Sequence, residues 1–286
     1  EKPLYTVSTP SGLAFASAIR ALPTLTGGKF TPNLDHVRRF LVTGYKSLNT
    51  VSETFLKGVT QVPPGTVMHI PASGKLSVVR YWNPRFDQRE VMSFGAAAQR
   101  TRGEVCRTVE LRLRSDVPRA FSLSGGVDSV ALASLARREL GTQVHGFTIL
   151  NTDPRYEERD LVSQTVEHLG IDHTWVTLET GDFLARLRSL ISHRGEPLLT
   201  ITSYVQSLLM RQVSESGYRV VVGGSGADEL FSGYYDHHLF YLAAIDGNPR
   251  NQALADWKER IGPIVRNPFL QDPERFVRNP YFRGHI

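Results

Sequence analysis

Cysteine is almost absent from the sequence, which has Cys106 alone among its 286 residues. A single cysteine excludes a disulfide framework within the chain and a zinc site built from paired cysteines, and it is typical of a reducing compartment. No apolar run approaches the roughly 20 residues that a membrane-spanning helix requires. We therefore expect a cytoplasmic protein without a membrane partner.

Blocks of basic residues are also missing. The formal net charge is +5, and the arginines that produce it are spread along the chain. Solvated helix faces explain this charge better than a nucleic-acid surface, so we expect no nucleic-acid partner. The histidines occur in no zinc-binding frame. Cys106 falls in a predicted helix from Met92 to Leu113 with no histidine nearby in sequence, and we expect it to be structural rather than nucleophilic.

The sequence also lacks two common nucleotide-binding motifs, G-x-x-x-x-G-K-[ST] and G-x-G-x-x-G. It has instead Ser-Gly-Gly-Val-Asp-Ser at 124–129, which we call the first loop, between a predicted strand (120–123) and a predicted helix (129–140). Paired glycines let a ligand approach the backbone, and a helix N-terminus attracts an anion. Asp128 would repel phosphate unless a cation lay between them, which predicts Mg²⁺. A turn that only joins a strand to a helix is the alternative.

From residue 120 onwards, predicted strands alternate with predicted helices. Near-continuous apolar strands such as 218–222 suit a parallel sheet covered on both faces, so we predict a doubly wound α/β fold. In that fold ligands bind at the carboxyl ends of the strands. Residues 223–235, which we call the second loop, follow such a strand, and we expect Asp228 to hold Mg²⁺ together with Asp128.

Residues 1–88 have a different pattern. Short β-prone runs alternate there with turn residues such as Pro10-Ser-Gly12, which predicts β-hairpins. Two helices are predicted within this region, Phe15–Leu22 and Leu34–Tyr45, and the second is expected to begin with Asp35. We therefore place a domain boundary near residue 88, with a second domain at 89–286.

Together these motifs resemble the glutamine-dependent asparagine synthetase family. The segments similar to its synthetase domain are 115–118, 124–129, 145–149 and 223–234, and those similar to the end of its glutaminase domain are 12–22, 63–65 and 80–82. The resemblance implies an adenine nucleotide alpha hydrolase-like parallel sheet with a pyrophosphatase loop in the second domain. It also implies that residues 1–88 are the β-rich C-terminal part of a class II (Ntn-type) glutaminase domain.

The resemblance further implies a role for individual residues. The adenosine would be held through backbone groups of Ser122, Ile149, Gly223 and Gly224, the pyrophosphate by Ser124, Gly125, Gly126 and Ser129, and Mg²⁺ by Asp128 and Asp228. The implied reaction is the adenylation of a carboxylate, aspartate in this family, by ATP. Pyrophosphate leaves, and ammonia taken from glutamine then displaces AMP to give an amide.

Three features depart from the family pattern. The family's glutaminase nucleophile is a cysteine at the mature amino terminus, whereas this chain begins with Glu1. The chain also ends soon after Phe282, where family members continue. We therefore expect a fragment, incomplete at its C-terminus, without glutaminase activity. Ser225 stands where the family often has a glutamate, and a serine cannot replace that glutamate as a base for ammonia.

These departures leave the acceptor open. An amide ligase that acts on aspartate is the first hypothesis, and a related amidotransferase that acts on a sugar acid or a β-lactam precursor is the second. A non-catalytic ATP-binding homologue is the third, although Asp128 and Asp228 argue against it. The sequence assigns no catalytic residue, and it leaves open whether the chain forms a homodimer.

Overall fold

The structure, a computed structural model, describes residues 3–45, 48, 51–71, 76–84, 90–151, 153, 157–178, 181–265 and 268–277. Within these residues the strands form one three-stranded, one two-stranded and one four-stranded sheet. The two smaller sheets belong to the first 80 residues, and the larger sheet belongs to the rest of the chain.

Antiparallel strands build the first region. β1 (Tyr5–Thr9) pairs with β2 (Gly12–Ala16) and with β3 (Val59–Gln61), in the order β2-β1-β3. β4 (Thr66–His69) and β5 (Ser77–Arg80) form a separate hairpin. The β-hairpins predicted for this region are therefore present. Its small core consists of Tyr5, Val7, Ile19, Leu22 and Val59.

The predicted helix Phe15–Leu22 is wrong. Phe15 belongs to β2, where it pairs with β1 and is 60% exposed. Gly12 has a φ of +136°, which lets the chain reverse directly from β1 into β2. Helical structure begins only with a short 3₁₀ helix, Ile19–Ala21, and continues in α1 (Leu22–Thr26). Strand pairing thus overrides the helical propensity of this alanine-containing segment.

The other helix predicted in this region is present as α2 (Leu34–Thr43). It begins through Asn33 and not through Asp35. The side-chain oxygen of Asn33 accepts a hydrogen bond (3.3 Å) from the backbone N–H of His36, which would otherwise be unpaired at the helix start. Asn33 also donates from Nδ2 to the carbonyl oxygen of Thr54 (3.1 Å), and this ties the helix to the chain that leads into β3.

The four-stranded sheet consists of β6 (Arg119–Ser122), β7 (His145–Leu150), β8 (Asp172–Thr177) and β9 (Val220–Val222). All its pairings are parallel, in the order β8-β7-β6-β9. The chain runs from β6 through β7 to β8 and then returns to the other side of β6 for β9. β6 is therefore the topological switch point, where sheets of this kind bind ligands.

Helices cover both faces of this sheet, which confirms the predicted doubly wound α/β fold. One face packs against α3 (Phe94–Arg112), α4 (Val127–Ser134, continued by a π turn to Glu139) and α5 (Arg159–Leu169), and the other packs against α7 (Ile201–Glu215). Phe121 faces the first group, whereas Ala120 and Phe147 face α7. This alternation is the two-residue period of strands that are buried on both sides.

The remaining helices are α6 (Phe183–Arg194), α8 (Ala227–Phe231), α9 (Tyr235–Ala244), α10 (Gly247–Asp256), α11 (Pro268–Gln271) and α12 (Pro273–Val277). The last four pack around Trp257, which is buried with Leu239, Leu242 and Val265. Cys106 is a free, half-buried thiol in α3. In the described part of the chain, no helix is long and apolar enough to cross a membrane.

Candidate functional site

The two glycine loops begin side by side at one edge of the parallel sheet. β6 pairs with β9 so that Phe121 lies opposite Val222. The chain leaves β6 into the first loop and leaves β9 into the second loop, in both cases at the carboxyl end of the strand. The sheet therefore brings together the two loops that we expected to share one site.

Two serines close the first loop on itself. The hydroxyl oxygen of the buried Ser129 accepts a hydrogen bond from the backbone N–H of Ser124 (3.0 Å) and lies 2.9 Å from the Ser124 hydroxyl. The carbonyl oxygens of Ser124 and Gly126, at 3.1 and 3.2 Å, can accept the Ser129 proton. The Ser124 hydroxyl in turn accepts from the backbone N–H of Gly126 (3.2 Å). The two hydroxyls therefore fix the shape of the loop.

The first loop leads directly into the N-terminus of α4. Gly126 precedes the helix in an extended conformation (φ −77°, ψ 146°), and no side chain caps the helix there. The first turn of α4 consequently presents backbone N–H groups that lack partners within the helix. Such groups, together with the helix dipole, attract anions. This arrangement is suited to binding phosphate.

A carboxylate faces one of the backbone donors of the first loop. The N–H of Gly125 donates to Oε2 of Glu158 (2.9 Å). A Cβ on Gly125 would lie 3.0 Å from Leu161 Cδ1 and 3.3 Å from Glu158 Cβ, so the start of α5 packs tightly against the loop. Nothing in the sequence indicated this contact, because the two partners of the hydrogen bond are 33 residues apart.

The second loop contacts the first loop at Gly224. A Cβ on Gly224 would lie 2.9 Å from Asp128 Cβ and 3.0 Å from Ser129 N. Because side chains do not tolerate such distances, only glycine lets the second loop lie this close to the start of α4. Gly223 is different, since a Cβ there would meet only Ser122 Cβ, at an ordinary 3.6 Å.

The two aspartates expected to bind metal lie in the first turns of α4 and α8. Asp128 is half-buried beside Gly224, and Asp228 is half-buried against Gly233. Among the residues that the structure describes, no three or more metal-ligating side chains form a cluster. Mg²⁺ takes six oxygen ligands and commonly obtains several of them from water and phosphate. The donor chemistry therefore suits a cation that is shared with a nucleotide.

The remaining residues expected around the adenosine differ in position. Ser122 ends β6 and lies beside Gly223. Ile149 is half-buried in β7, and its side chain packs on the sheet face that is covered by α7. The structure thus brings Ser122 directly to the second loop, whereas Ile149 is one strand further along the sheet.

Two side chains that the sequence analysis did not identify support the end of β6. Thr148 Oγ1 donates to the carbonyl oxygen of Leu123 (2.7 Å) and lies 2.9 Å from Nε2 of His173. Since the hydroxyl gives its only proton to Leu123, His173 Nε2 carries the proton that joins the two side chains. Burial, with a smaller contribution from the nearby His145, lowers the pKa of His173 to about 4. Neutral His173 thus holds the Thr148 hydroxyl, which in turn holds the carbonyl group of Leu123, the residue before Ser124.

Ser225 is exposed on the second loop and lines a cavity of about 1120 Å³. This cavity lies between the second loop, β9 and α3, and its walls include Val105, Leu132 and Phe231. Four residues after Ser225, Glu229 accepts a hydrogen bond (3.0 Å) from the hydroxyl of Tyr234. The same contact raises the pKa of Tyr234.

Several curated protein sequences are similar to the sequence of this chain. Amidase chyE of Penicillium rubens is 28% identical over 200 residues, which are 64% of this chain and 30% of the relative. Glutamine-hydrolysing asparagine synthetase 1 of Bacillus subtilis is 25% identical over 235 residues, 82% of this chain and 36% of the relative. Glutamine-hydrolysing asparagine synthetase 3 of Arabidopsis thaliana is 30% identical over 190 residues, 62% and 32% of the two chains. The chain thus spans about a third of the length of these relatives.

Among solved structures, NH3-dependent NAD synthetase from Campylobacter jejuni aligns with 48% of this chain and 60% of its own, at 20% identity and a TM-score of 0.33. The model of the family described as asparagine synthase matches residues 100–274, which contain both glycine loops. Because this match covers more than half of the chain and agrees with the resemblance of the motifs, the chain belongs to the asparagine synthase family.

Proposed function

We propose that the first and second loops bind ATP together with Mg²⁺ where they meet at the carboxyl ends of β6 and β9. The close contact of Gly224 with Asp128 carries this proposal, because it sets the second loop against the N-terminus of α4. Backbone N–H groups of the first loop and of α4 supply hydrogen-bond donors for phosphate. Membership of the asparagine synthase family supports the same ligand.

Each expected ligand residue has a place in this proposal. The adenosine is assigned to backbone groups of Ser122, Ile149, Gly223 and Gly224, and the pyrophosphate to Ser124, Gly125, Gly126 and Ser129. Asp128 and Asp228 would hold Mg²⁺, and the position of Asp128 between the two loops supports its assignment. When bound, Mg²⁺ neutralises charge on the phosphates and so assists the departure of pyrophosphate.

The proposed reaction is ATP-dependent amide formation. A carboxylate oxygen of the acceptor attacks the α-phosphorus of ATP, the bond from this phosphorus to the α,β-bridging oxygen breaks, and pyrophosphate leaves. Ammonia then attacks the acyl carbon of the adenylate, loses a proton to a base, and AMP leaves with the carboxylate oxygen. The residues of the two loops contribute by positioning the triphosphate and by stabilising the charge that develops on pyrophosphate.

Aspartate is one candidate acceptor, and another carboxylate, such as a sugar acid or a β-lactam precursor, is the second. Ser225 leaves the acceptor open, because a serine hydroxyl has no usable basicity near neutral pH and cannot act as the base that the family's frequent glutamate would provide. The cavity beside Ser225 has a volume of about 1120 Å³, and its lining combines the apolar Val105, Leu132 and Phe231 with the charged Arg100, Glu104 and Arg112. This lining is compatible with either candidate.

We also propose that residues 1–88 are the C-terminal part of a glutaminase domain and that residues 89–286 are the synthetase domain. The change from antiparallel to parallel sheets supports this division, and the family match lies entirely within the second domain. The proposal assigns no glutaminase nucleophile to this chain, since its one cysteine, Cys106, lies in α3.

Titration calorimetry with Mg²⁺ and a nonhydrolysable ATP analogue tests the nucleotide site. We expect Asp128→Ala to weaken Mg²⁺-dependent binding by about tenfold or more, the scale of one lost charge-assisted contact. Asp116→Ala is the matched control, because Asp116 precedes β6 and lies outside the loop. It should bind the analogue like the unmodified protein. Equal losses in the two variants would contradict the assignment.

A further inference from the structure

Glu158 places a negative charge on the phosphate-binding surface of the first loop. Its Oε2 accepts a hydrogen bond of 2.9 Å from the backbone N–H of Gly125, a residue that the proposed function assigns to pyrophosphate. A carboxylate and a phosphate oxygen are chemically equivalent acceptors for this donor. The inference below rests on the proposed function, because it concerns the competition between the two anions.

The fold holds Glu158 in this position. Its carbonyl oxygen accepts a hydrogen bond from the backbone N–H of Val162 (3.0 Å), whose side chain is fully buried in the core under the sheet. Leu161, which directly precedes Val162 in α5, packs against Gly125 of the first loop. The Glu158 side chain makes no capping hydrogen bond to α5, although an acidic residue at a helix start usually interacts with its own helix. It is directed at the first loop instead.

The adjacent glutamate behaves differently and so provides a comparison. Oε1 of Glu157 accepts a hydrogen bond (2.9 Å) from the backbone N–H of Arg159, and its Oε2 lies 3.9 Å from the Arg159 guanidinium. Glu157 therefore interacts with the start of α5, whereas Glu158 interacts with the first loop. The two residues have the same charge, and both are exposed.

We propose that Glu158 competes with phosphate for the first loop and thereby makes nucleotide binding depend on a divalent cation. A metal-free triphosphate must either displace the carboxylate from Gly125 or bind beside it, and like charges in contact oppose binding. A divalent cation removes two negative charges from the nucleotide, so the opposition weakens when it is present. Glu158 thus discriminates against free phosphate anions and in favour of the metal complex.

Glu158→Gln tests this role because glutamine keeps an oxygen acceptor for Gly125 and removes the charge. The measurement is titration calorimetry with an ATP analogue that has a methylene group between the α- and β-phosphates, once with excess EDTA and once with excess Mg²⁺. The repulsion between two like unit charges about 4 Å apart in water weakens a binding constant about fivefold. We expect Glu158→Gln to bind the metal-free analogue about fivefold more tightly than the unmodified protein and to bind the Mg²⁺ complex with little change.

Glu157→Gln is the matched control, and it should keep the metal dependence of the unmodified protein. An unchanged metal dependence in Glu158→Gln would overturn the inference and leave the proposed function intact. Weaker binding of the Mg²⁺ complex by Glu158→Gln would also overturn it, because the carboxylate would then act as a ligand of the cation. If the unmodified protein bound the analogue in neither condition, the proposed function itself would fail, and this inference with it.

Discussion

Gly224→Ala perturbs the candidate site at the contact that joins its two loops. The new Cβ would lie 2.9 Å from Asp128 Cβ and 3.0 Å from Ser129 N. Neither a backbone nitrogen nor a Cβ, which is fixed to the backbone, can rotate away from it. Overpacking of this kind costs about 1–3 kcal/mol. If the loops separate to relieve it, the affinity for an ATP analogue with Mg²⁺ should fall by about 5- to 150-fold.

Gly223→Ala is the matched control for this experiment. It adds the same methyl group one residue earlier, where the new Cβ would meet only Ser122 Cβ at 3.6 Å. We expect this variant to bind the analogue like the unmodified protein in titration calorimetry, and we expect both variants to keep a cooperative thermal transition. Equal affinities of Gly224→Ala and Gly223→Ala would refute the idea that the contact between the loops shapes the site.

Three further predictions concern other parts of the chain. The chain should release no glutamate from glutamine, and a release that disappears in Cys106→Ala would show that this cysteine is a nucleophile after all. Amide formation from aspartate and ammonia should be slow, because Ser225 is no base for the ammonia that attacks the adenylate, and Ser225→Glu should raise it if the aspartate pocket is intact; fast amide formation by the unmodified protein would contradict this reasoning. The pKa of His173 is about 4 in the folded protein, below the usual value of 6.5 for histidine. As the pH falls, the unfolded chain therefore binds a proton at His173 at a higher pH than the folded chain does. The free energy of unfolding in urea should therefore fall as the pH drops from about 6.5 to 4, and His173→Gln should reduce this fall.

The sequence was sufficient to predict the parallel sheet of the second region, but not the helices after residue 248. Apolar runs such as 218–222 indicated buried parallel strands, and the glycine loops that follow two of them indicated where a ligand binds. These signals are local in the chain, and the parallel sheet then brings the loops together through the pairing of β6 with β9. The residues of the loops therefore indicate their chemistry, and the pairing of the strands supplies their geometry.

Other features depend on contacts between distant residues and could not be predicted in the same way. The residues around Phe15 favour a helix, but pairing with β1 places Phe15 in a strand. The sequence does not distinguish Asn33 from Asp35 as the start of α2, because both residue types are good helix caps, and the hydrogen bond from His36 N–H shows that Asn33 is the cap. Glu158, at the start of α5, contacts the first loop directly, and His173, in β8, acts on it through Thr148. No short sequence motif indicates such contacts.

A crystal structure of the chain with Mg²⁺ and a nonhydrolysable ATP analogue would test the central claim most directly. We predict phosphate groups at the backbone N–H groups of Gly125 and Gly126, Mg²⁺ at Asp128, and the adenosine beside Gly223. In the same structure the Glu158 carboxylate should have left the Gly125 N–H. A nucleotide bound elsewhere, for example in the cavity between α3 and β9, with the hydrogen bond between Gly125 and Glu158 intact, would contradict the proposed site.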